Sequence, residues 1–203
     1  MFWFHYTPDA LLVPSDSPVK TLKDFVDAAK KAPGATTLSG SGTNSANHLT
    51  QRQFDKLAGI KTTYVPFGGT GPSNTALLGK QVSGSWGYTT VQMQLGAQVR
   101  CLAVAMEQRH PKLPDCPTFK EQGFHLVGGA YRGVAVPKST PADIQNKLAA
   151  DLAKVNADPE FIRKMEEGGF AMLNVGPAQM AGFMTDVKAR YEALAKEMGI
   201  VKK

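Results

Sequence analysis

The sequence predicts an α/β fold with mostly parallel sheets flanked by helices. Segments typical of strands alternate with segments typical of helices along almost all of the 203 residues, and this order favours a parallel sheet. Residues 99–105 are nearly continuous in apolar side chains, as expected for a strand that is covered on both faces. Short turns rich in glycine and serine follow several of the strands and lead into helices.

The individual elements follow from local signals. A short apolar strand is expected at residues 11–13, and Thr21 followed by Asp24 predicts the start of a helix that runs to about residue 32. Later strands are expected at residues 36–38, 62–65, 82–86, 99–105, 131–136 and 171–175. Helices are expected to end near Leu57, Leu78 and Gly96, to begin at Pro141 with Thr140 as the N-cap, and to begin after Pro159 and Pro177.

The composition excludes several classes of function. Lysine and arginine number 23 and aspartate and glutamate 17, which leaves a formal net charge of +6. This balance suits anionic ligands, but the basic residues are spread over helix surfaces and do not define a nucleic-acid interface. The four histidines are scattered without metal-ligand spacing, so neither a metal nor another cofactor is expected.

The cysteines and the N-terminus bear on location. Cys101 and Cys116 form no CxxC pair, and the expectation is two separate buried thiols, with one disulfide as the alternative. The first eight residues lack the basic and apolar regions of a signal peptide, and no segment reaches the roughly 18 apolar residues of a membrane span. Taken literally, the chain has no export signal and is not inserted in a membrane.

Three turns that follow strands are the candidate binding elements. The first turn, residues 39–48, opens a helix whose free N–H groups can bind an anion. It is not a nucleotide-binding loop, because no lysine follows its glycines. Its candidate ligand-binding residues are Ser39, Ser41, Gly42, Thr43, Asn44, Ser45 and Asn47. The alternative is an ordinary helix cap with a flexible turn.

The second turn, residues 66–73, repeats this pattern, and the third, residues 86–90, combines aromatic rings with hydroxyl groups. The candidates are Phe67, Gly68, Gly69, Thr70 and Gly71 in the second turn, and Trp86, Tyr88 and Thr89 in the third. The alternatives are a common glycine-rich turn and a pair of core aromatic residues. Because ligands of open α/β sheets bind beyond the carboxyl ends of strands, the three turns are expected to meet at one edge.

Catalysis has weaker support. No GxSxG motif or Ser-His-Asp spacing is present, and no carboxylate falls within the three turns. His48 is the nearest candidate base, although a histidine in the first turn of a helix more often caps or packs.

With these residues in view, the chain resembles the solute-binding proteins of tripartite tricarboxylate transporters, also called Bug proteins. The match runs in order and spacing over about residues 11 to 203. The segments that carry it are residues 12–18, 21–25, 29–34, 39–43, 47–49, 58–60, 65–69, 77–82, 102–105, 113–118 and 133–141.

The resemblance implies a periplasmic-binding-protein type II-like fold with two lobes that close over a carboxylate. It implies that residues 10–128 form the second lobe and residues 129–203 the C-terminal part of the first, which is incomplete because the family's first βαβ portion does not precede Leu11. It further implies a small carboxylate ligand held by backbone N–H groups and hydroxyls, transporter membrane subunits as partners, and a periplasmic location.

One departure from the family matters for the ligand. Members often carry an aspartate in the third turn, where Gly87 or Ser83 stands here, and its loss favours plain carboxylates over amino acids. Arg132 is the cation expected to reach the cleft, with a surface or interlobe arginine as the alternative. Two other functions stay open: a small α/β enzyme acting on a carboxylated or phosphorylated metabolite, and a cytoplasmic sensor or interaction module derived from the binding fold.

Overall fold

The computed structural model describes residues 2–197 and 199, and within them the chain divides into two compact units. The first unit comprises the described residues of Met1–Tyr6, Tyr131–Met165 and Met172–Lys203. The second unit comprises Thr7–Ala130 and Glu166–Ala171. The boundary expected from sequence, between residues 128 and 129, lies two residues from a point where the chain passes between the units. Residues 198 and 200–203 of the expected first lobe lie outside the described residues.

The first strand, β1, spans Phe2–Pro14 and contributes to both units. The expected strand at residues 11–13 is therefore only its C-terminal end. The rest of the strand was not predicted because it contains Pro8 and Asp9, and proline and aspartate are depleted in strands. In the second unit the strand is buried without interruption from residue 7 to residue 13, so no alternation of exposed and buried positions marks it.

The second unit is built on a mixed sheet whose strand order is β3-β2-β4-β1-β5. The strands after β1 are β2 (Thr37–Gly40), β3 (Thr63–Pro66), β4 (Gly84–Tyr88) and β5 (Val99–Val104). β2 runs parallel to β3 and β4, whereas β1 runs antiparallel to β4 and β5. Four of the five strands therefore point one way. Their carboxyl ends share an edge with the beginning of β1 in this unit, where Asp9 pairs with Tyr88.

Helices connect these strands as expected. They are α1 (Leu22–Lys31), α2 (Ala46–Ala58), α3 (Thr70–Leu78) and α4 (Thr89–Leu95), with 3₁₀ turns at Gly96–Gln98 and Lys120–Gln122. The predicted cap at Thr21 is confirmed, since its side chain accepts a hydrogen bond from the Asp24 amide in a reciprocal capping box.

Two apolar clusters form the core of the second unit. Leu11 and Val13 belong to one cluster, and Ala10 and Leu12 belong to the other. This division follows from the alternation of side chains along a strand. Trp86 stacks on Phe119 with ring centroids 5.6 Å apart, and Phe54 meets both rings from α2.

The expectation of two separate thiols is wrong, because Cys101 and Cys116 form a disulfide. The chain returns beside β5 after its proline-rich loop, and backbone hydrogen bonds join Val104 to Pro117 and to Phe119. This return brings the two Cα atoms to 5.4 Å, within the usual range for a disulfide. The pairing depends on a contact between distant segments, which cysteine spacing does not reveal.

Among its described residues, the first unit combines part of β1 with most of the residues of two further strands and three helices. β6 (Gly129–Val134) and β7 (Ala171–Val175) both pair with β1. The helices are α5 (Ala142–Asn156), α6 (Pro159–Glu167) and α7 (Pro177–Glu197). Trp3, Tyr131 and Phe183 pack as an aromatic cluster, with ring centroids 5.4–6.4 Å apart.

Candidate functional site

The first turn is held in place by Asn47, a buried residue of α2. The Ser41 hydroxyl donates to Asn47 Oδ1 at 2.7 Å, so the hydrogen of this hydroxyl is already used within the protein. Asn47 Nδ2 donates in turn to Asp9 Oδ1 at 2.7 Å and to the Gly87 carbonyl at 3.2 Å. Asn47 therefore ties the first turn to β1 and to the third turn, and its own amide is not directed at solvent.

Asp9 places a carboxyl group at this edge of the sheet, which the sequence analysis missed. Its side chain is fully buried, and Thr50 Oγ1 donates to Oδ2 at 2.6 Å. Burial raises the pKa of Asp9 to about 7, and the hydrogen bonds from Thr50 and Asn47 oppose that rise. The available signal was an acidic residue directly before an apolar run, but the strand was expected to begin only at residue 11.

The Tyr64 ring supports the first turn from β3. Its hydroxyl donates to the Gly42 carbonyl at 3.1 Å and lies 3.2 Å from Ser45 Oγ. A Cβ added at Gly40 would overlap this ring, which explains why glycine ends β2. Ser45 also caps α2 by accepting from the His48 amide.

His48 has a structural role in the same turn. Its ring stacks on Tyr64 with centroids 4.3 Å apart, and Nδ1 accepts from the Asn44 amide at 3.1 Å. Burial, with a smaller effect of Arg52, lowers the pKa of His48. Thr43 and Asn44 are the exposed residues of the turn, and Asn44 has a left-handed φ of 58°. These two residues therefore present the polar groups of the turn to solvent.

The second turn leaves its helix N-terminus open. Gly69 precedes α3 with a φ of 136°, and no side chain caps the helix. A Cβ added at Gly68, Gly69 or Gly71 would meet no atom within 4 Å. The glycine side of this turn is therefore open, and the dipoles of the Thr70 and Gly71 amides at the start of α3 favour an anion. The Phe67 amide donates to the Gly40 carbonyl at 2.9 Å, which joins this turn to the first.

The third turn does not present an aromatic wall. Trp86 is 1% exposed and belongs to the core, because its position on β4 points into the cluster around Phe54 and Phe119. Tyr88 is buried as well, and Thr89 Oγ1 donates to the Gly169 carbonyl at 2.5 Å. All three candidates of this turn, Trp86, Tyr88 and Thr89, are therefore buried, and Trp86 is a core aromatic residue, which was the alternative interpretation.

Ser39 is also directed inward. Its side chain is fully buried in a hydroxyl cluster with Ser73 and Ser85, where Ser73 Oγ donates to Ser39 Oγ at 2.8 Å. This cluster joins β2, α3 and β4. Ser39 thus holds the strand and helix together behind the turns.

Arg132 belongs to the first unit, where it is exposed and donates to the Tyr131 carbonyl at 3.0 Å. His5 of the same unit is buried, and burial with the nearby Arg132 charge lowers the pKa of His5 to about 4. Within the described ranges, no group of three metal-ligating side chains lies together. No helix there has the length and apolar character needed to cross a membrane.

Relatives of the chain can be identified by sequence. The "UPF0065 protein in the TAR-I ttuE-ttuC' intergenic region" of Agrobacterium vitis is 32% identical over 93% of this chain and 56% of its own length. The "UPF0065 protein in tcbD-tcbE intergenic region" of Pseudomonas sp. strain P51 is 28% identical over 94% of this chain and 58% of its own length. The chain thus spans less than two thirds of the length of these relatives.

Solved structures share the fold. BugD, described as a periplasmic binding protein, has a TM-score of 0.85 and 28% identity, with 100% of this chain and 69% of BugD covered. Rpa4515 of R. palustris, solved with adipate, has a TM-score of 0.88 and 25% identity, with 98% of this chain and 67% of Rpa4515 covered. The model of the tripartite tricarboxylate transporter family receptor matches residues 3–200. The chain therefore belongs to the tripartite tricarboxylate transporter receptor family, whose members are solute-binding proteins.

Proposed function

We propose that this protein binds a small organic carboxylate, without chemical conversion, as the receptor of a tripartite tricarboxylate-type transporter. The observation that carries the proposal is the uncapped N-terminus of α3 behind the open glycines of the second turn. Rpa4515, which shares this fold at 25% identity and was solved with adipate, supports a carboxylate as the ligand class.

The binding chemistry uses neutral donors. A carboxylate placed before α3 accepts hydrogen bonds from the amides of Thr70 and Gly71, while Pro72 has no N–H to offer. The Thr70 and Thr43 hydroxyls supply further donors at the same edge of the sheet. In this proposal Ser41, Asn47, Ser39 and Trp86 act by holding the turns in position.

The disulfide supports a location outside the cytoplasm. Disulfides such as Cys101–Cys116 persist in oxidising compartments and are rare where thiols are kept reduced. We therefore propose the periplasm as the site of action, with transporter membrane subunits as partners.

The first test is a thermal-shift and calorimetry screen with adipate, malate and the diamide of adipic acid. A ligand present at about 100 times its dissociation constant adds about 2.7 kcal/mol to the free energy of unfolding. We expect a dicarboxylate to raise the melting temperature and the uncharged diamide to leave it unchanged. The proposal would be contradicted if the diamide raised the melting temperature as much as a dicarboxylate does, or if no dicarboxylate raised it.

Gly69→Ala is expected to weaken carboxylate binding by about tenfold or more, because the new Cβ enters the space before the helix amides and strains a φ of 136°. Calorimetric titration with the dicarboxylate found in the screen measures this loss. Gly123→Ala is the matched control, since Gly123 also has a positive φ of 87° and open space around its Cα but lies outside the three turns. A similar loss in both variants would mean that backbone strain alone is responsible.

Ser41→Ala is expected to weaken binding by a smaller factor, roughly threefold, through the loss of one neutral hydrogen bond that orders the first turn. The same titration measures it, and Ser139→Ala, at an exposed serine outside the three turns, serves as the control. An unchanged affinity would show that the Asn47 contact to Ser41 does not shape the site.

A further inference from the structure

The Asp9 carboxyl is a buried titratable group of the site for which the proposed function gives no role. It lies at the edge that carries the three turns, opposite Tyr88 in the register of β1 and β4. The chain Ser41–Asn47–Asp9 joins it to the first turn through two hydrogen bonds of 2.7 Å each. A change in the charge of Asp9 therefore acts on a segment that faces the ligand.

Among the described residues, none of the groups that shift the pKa of Asp9 is positively charged. Both carboxylate oxygens accept from neutral groups, Asn47 and Thr50. The causes that shift the pKa of Asp9 are burial and these two hydrogen bonds, without a cation among them. An ionised Asp9 thus carries a negative charge that the protein does not neutralise.

A ligand carboxylate before α3 lies within range of this charge. β3, which leads into the second turn, is separated from β1 by β2 and β4, so the end of β3 is about 15 Å from Asp9, or three strand spacings. Buried charges are screened much less than exposed ones over such a distance. Two negative charges in this arrangement repel, and protonation of Asp9 removes the repulsion.

We propose that Asp9 couples ligand binding to proton uptake, so that a carboxylate binds more tightly when Asp9 is protonated. This inference rests on the proposed carboxylate-binding function. The working range follows from the pKa of Asp9 near 7, which allows the group to change charge close to neutral pH. Binding of an anion raises this pKa further, so protons are taken up as the complex forms.

Titratable groups on the neighbouring elements also bear on a pH effect. β4 presents Tyr88 and β3 presents Tyr64, whose phenol pKa is raised mainly by burial and slightly by the Asp9 charge. α2 contributes His48 and Arg52, and burial lowers the pKa of His48. β5 presents the apolar Val104 beside Ala10, and the loop at Gly128 contributes its backbone carbonyl. His48 is therefore the competing source of a pH effect.

The test is calorimetric titration of the full chain with adipate or malate at pH 6.5, 7.5 and 8.5, in buffers of different ionisation enthalpy. Both probes are dianions over this range. If binding raises the pKa of Asp9 by one unit, affinity at pH 6.5 exceeds affinity at pH 8.5 by roughly sixfold, and roughly half a proton is taken up per ligand at pH 7.5.

Three variants identify the group that is responsible for the pH dependence of binding. Asp9→Asn keeps the shape of the side chain and is expected to bind with a flat pH profile and no proton uptake. Thr50→Val removes a hydrogen bond that lowers the pKa of Asp9, so the midpoint of the profile moves to higher pH. His48→Asn, whose Oδ1 can replace Nδ1 as acceptor for the Asn44 amide, is expected to keep the wild-type profile.

The outcomes separate the two proposals. Absence of dicarboxylate binding at every pH overturns the proposed function itself. Binding of wild-type protein without proton uptake overturns the coupling alone, and this measurement does not require any variant to fold. A pH profile that persists in Asp9→Asn but disappears in His48→Asn assigns the proton to His48 and also overturns the role of Asp9.

Discussion

Phe54→Ala lowers the free energy of unfolding by about 3–5 kcal/mol, the usual cost of removing a large core aromatic side chain. The Phe54 ring is fully buried and lies within 4.9–6.4 Å of the rings of Phe25, Trp86, Phe119 and Phe124, measured between centroids. Its loss leaves a cavity at the centre of the second unit. Chemical denaturation followed by Trp fluorescence measures the change.

Leu57→Ala on the same helix is the matched control. Leu57 is 45% exposed, so its truncation is expected to cost less than about 1 kcal/mol. The two variants share the helix, the change to alanine and the assay, and they differ in burial. Equal losses would mean that α2 does not pack on the sheet through Phe54.

Reduction of the Cys101–Cys116 disulfide is expected to lower the free energy of unfolding by about 3 kcal/mol. The two cysteines are 15 residues apart, and closing a loop of that length restricts the unfolded chain by about this amount. The bonded loop also carries His110, whose buried ring lies 3.2 Å from the Phe170 carbonyl. Denaturation with and without dithiothreitol measures the loss.

The double variant Cys101→Ser/Cys116→Ser provides the control for reduction. It is expected to match the reduced wild-type protein and to show no further response to dithiothreitol. Wild-type stability that is unchanged by complete reduction, verified by thiol titration, would contradict the expected contribution of the crosslink.

The order of strands and helices could be predicted from the sequence because it depends on local signals. The capping pair Thr21 and Asp24, the glycines that end helices, and the apolar run of β5 each act within a few residues. The position of the three turns after β2, β3 and β4 follows from the same signals. The family resemblance was likewise present in the sequence, and the match over residues 3–200 confirms it.

Which side chains face solvent within those turns was decided by the tertiary structure. Ser39 and Trp86 have the residue types of a binding site, but neighbouring elements bury them in the serine cluster and in the aromatic core. Asp9, in contrast, lay outside every turn in the sequence. These positions depend on pairing between segments that are far apart in the chain, and no local pattern predicts that pairing.

The sequence by itself thus determined the fold class, the family and the glycine-rich turns. Only the tertiary structure decided the full length of β1, the disulfide and the position of Asp9 beside Asn47. The physical reason is the antiparallel insertion of β1 between β4 and β5. This pairing turns the beginning of the strand toward the carboxyl ends of its neighbours, where a buried carboxyl can act on the candidate site.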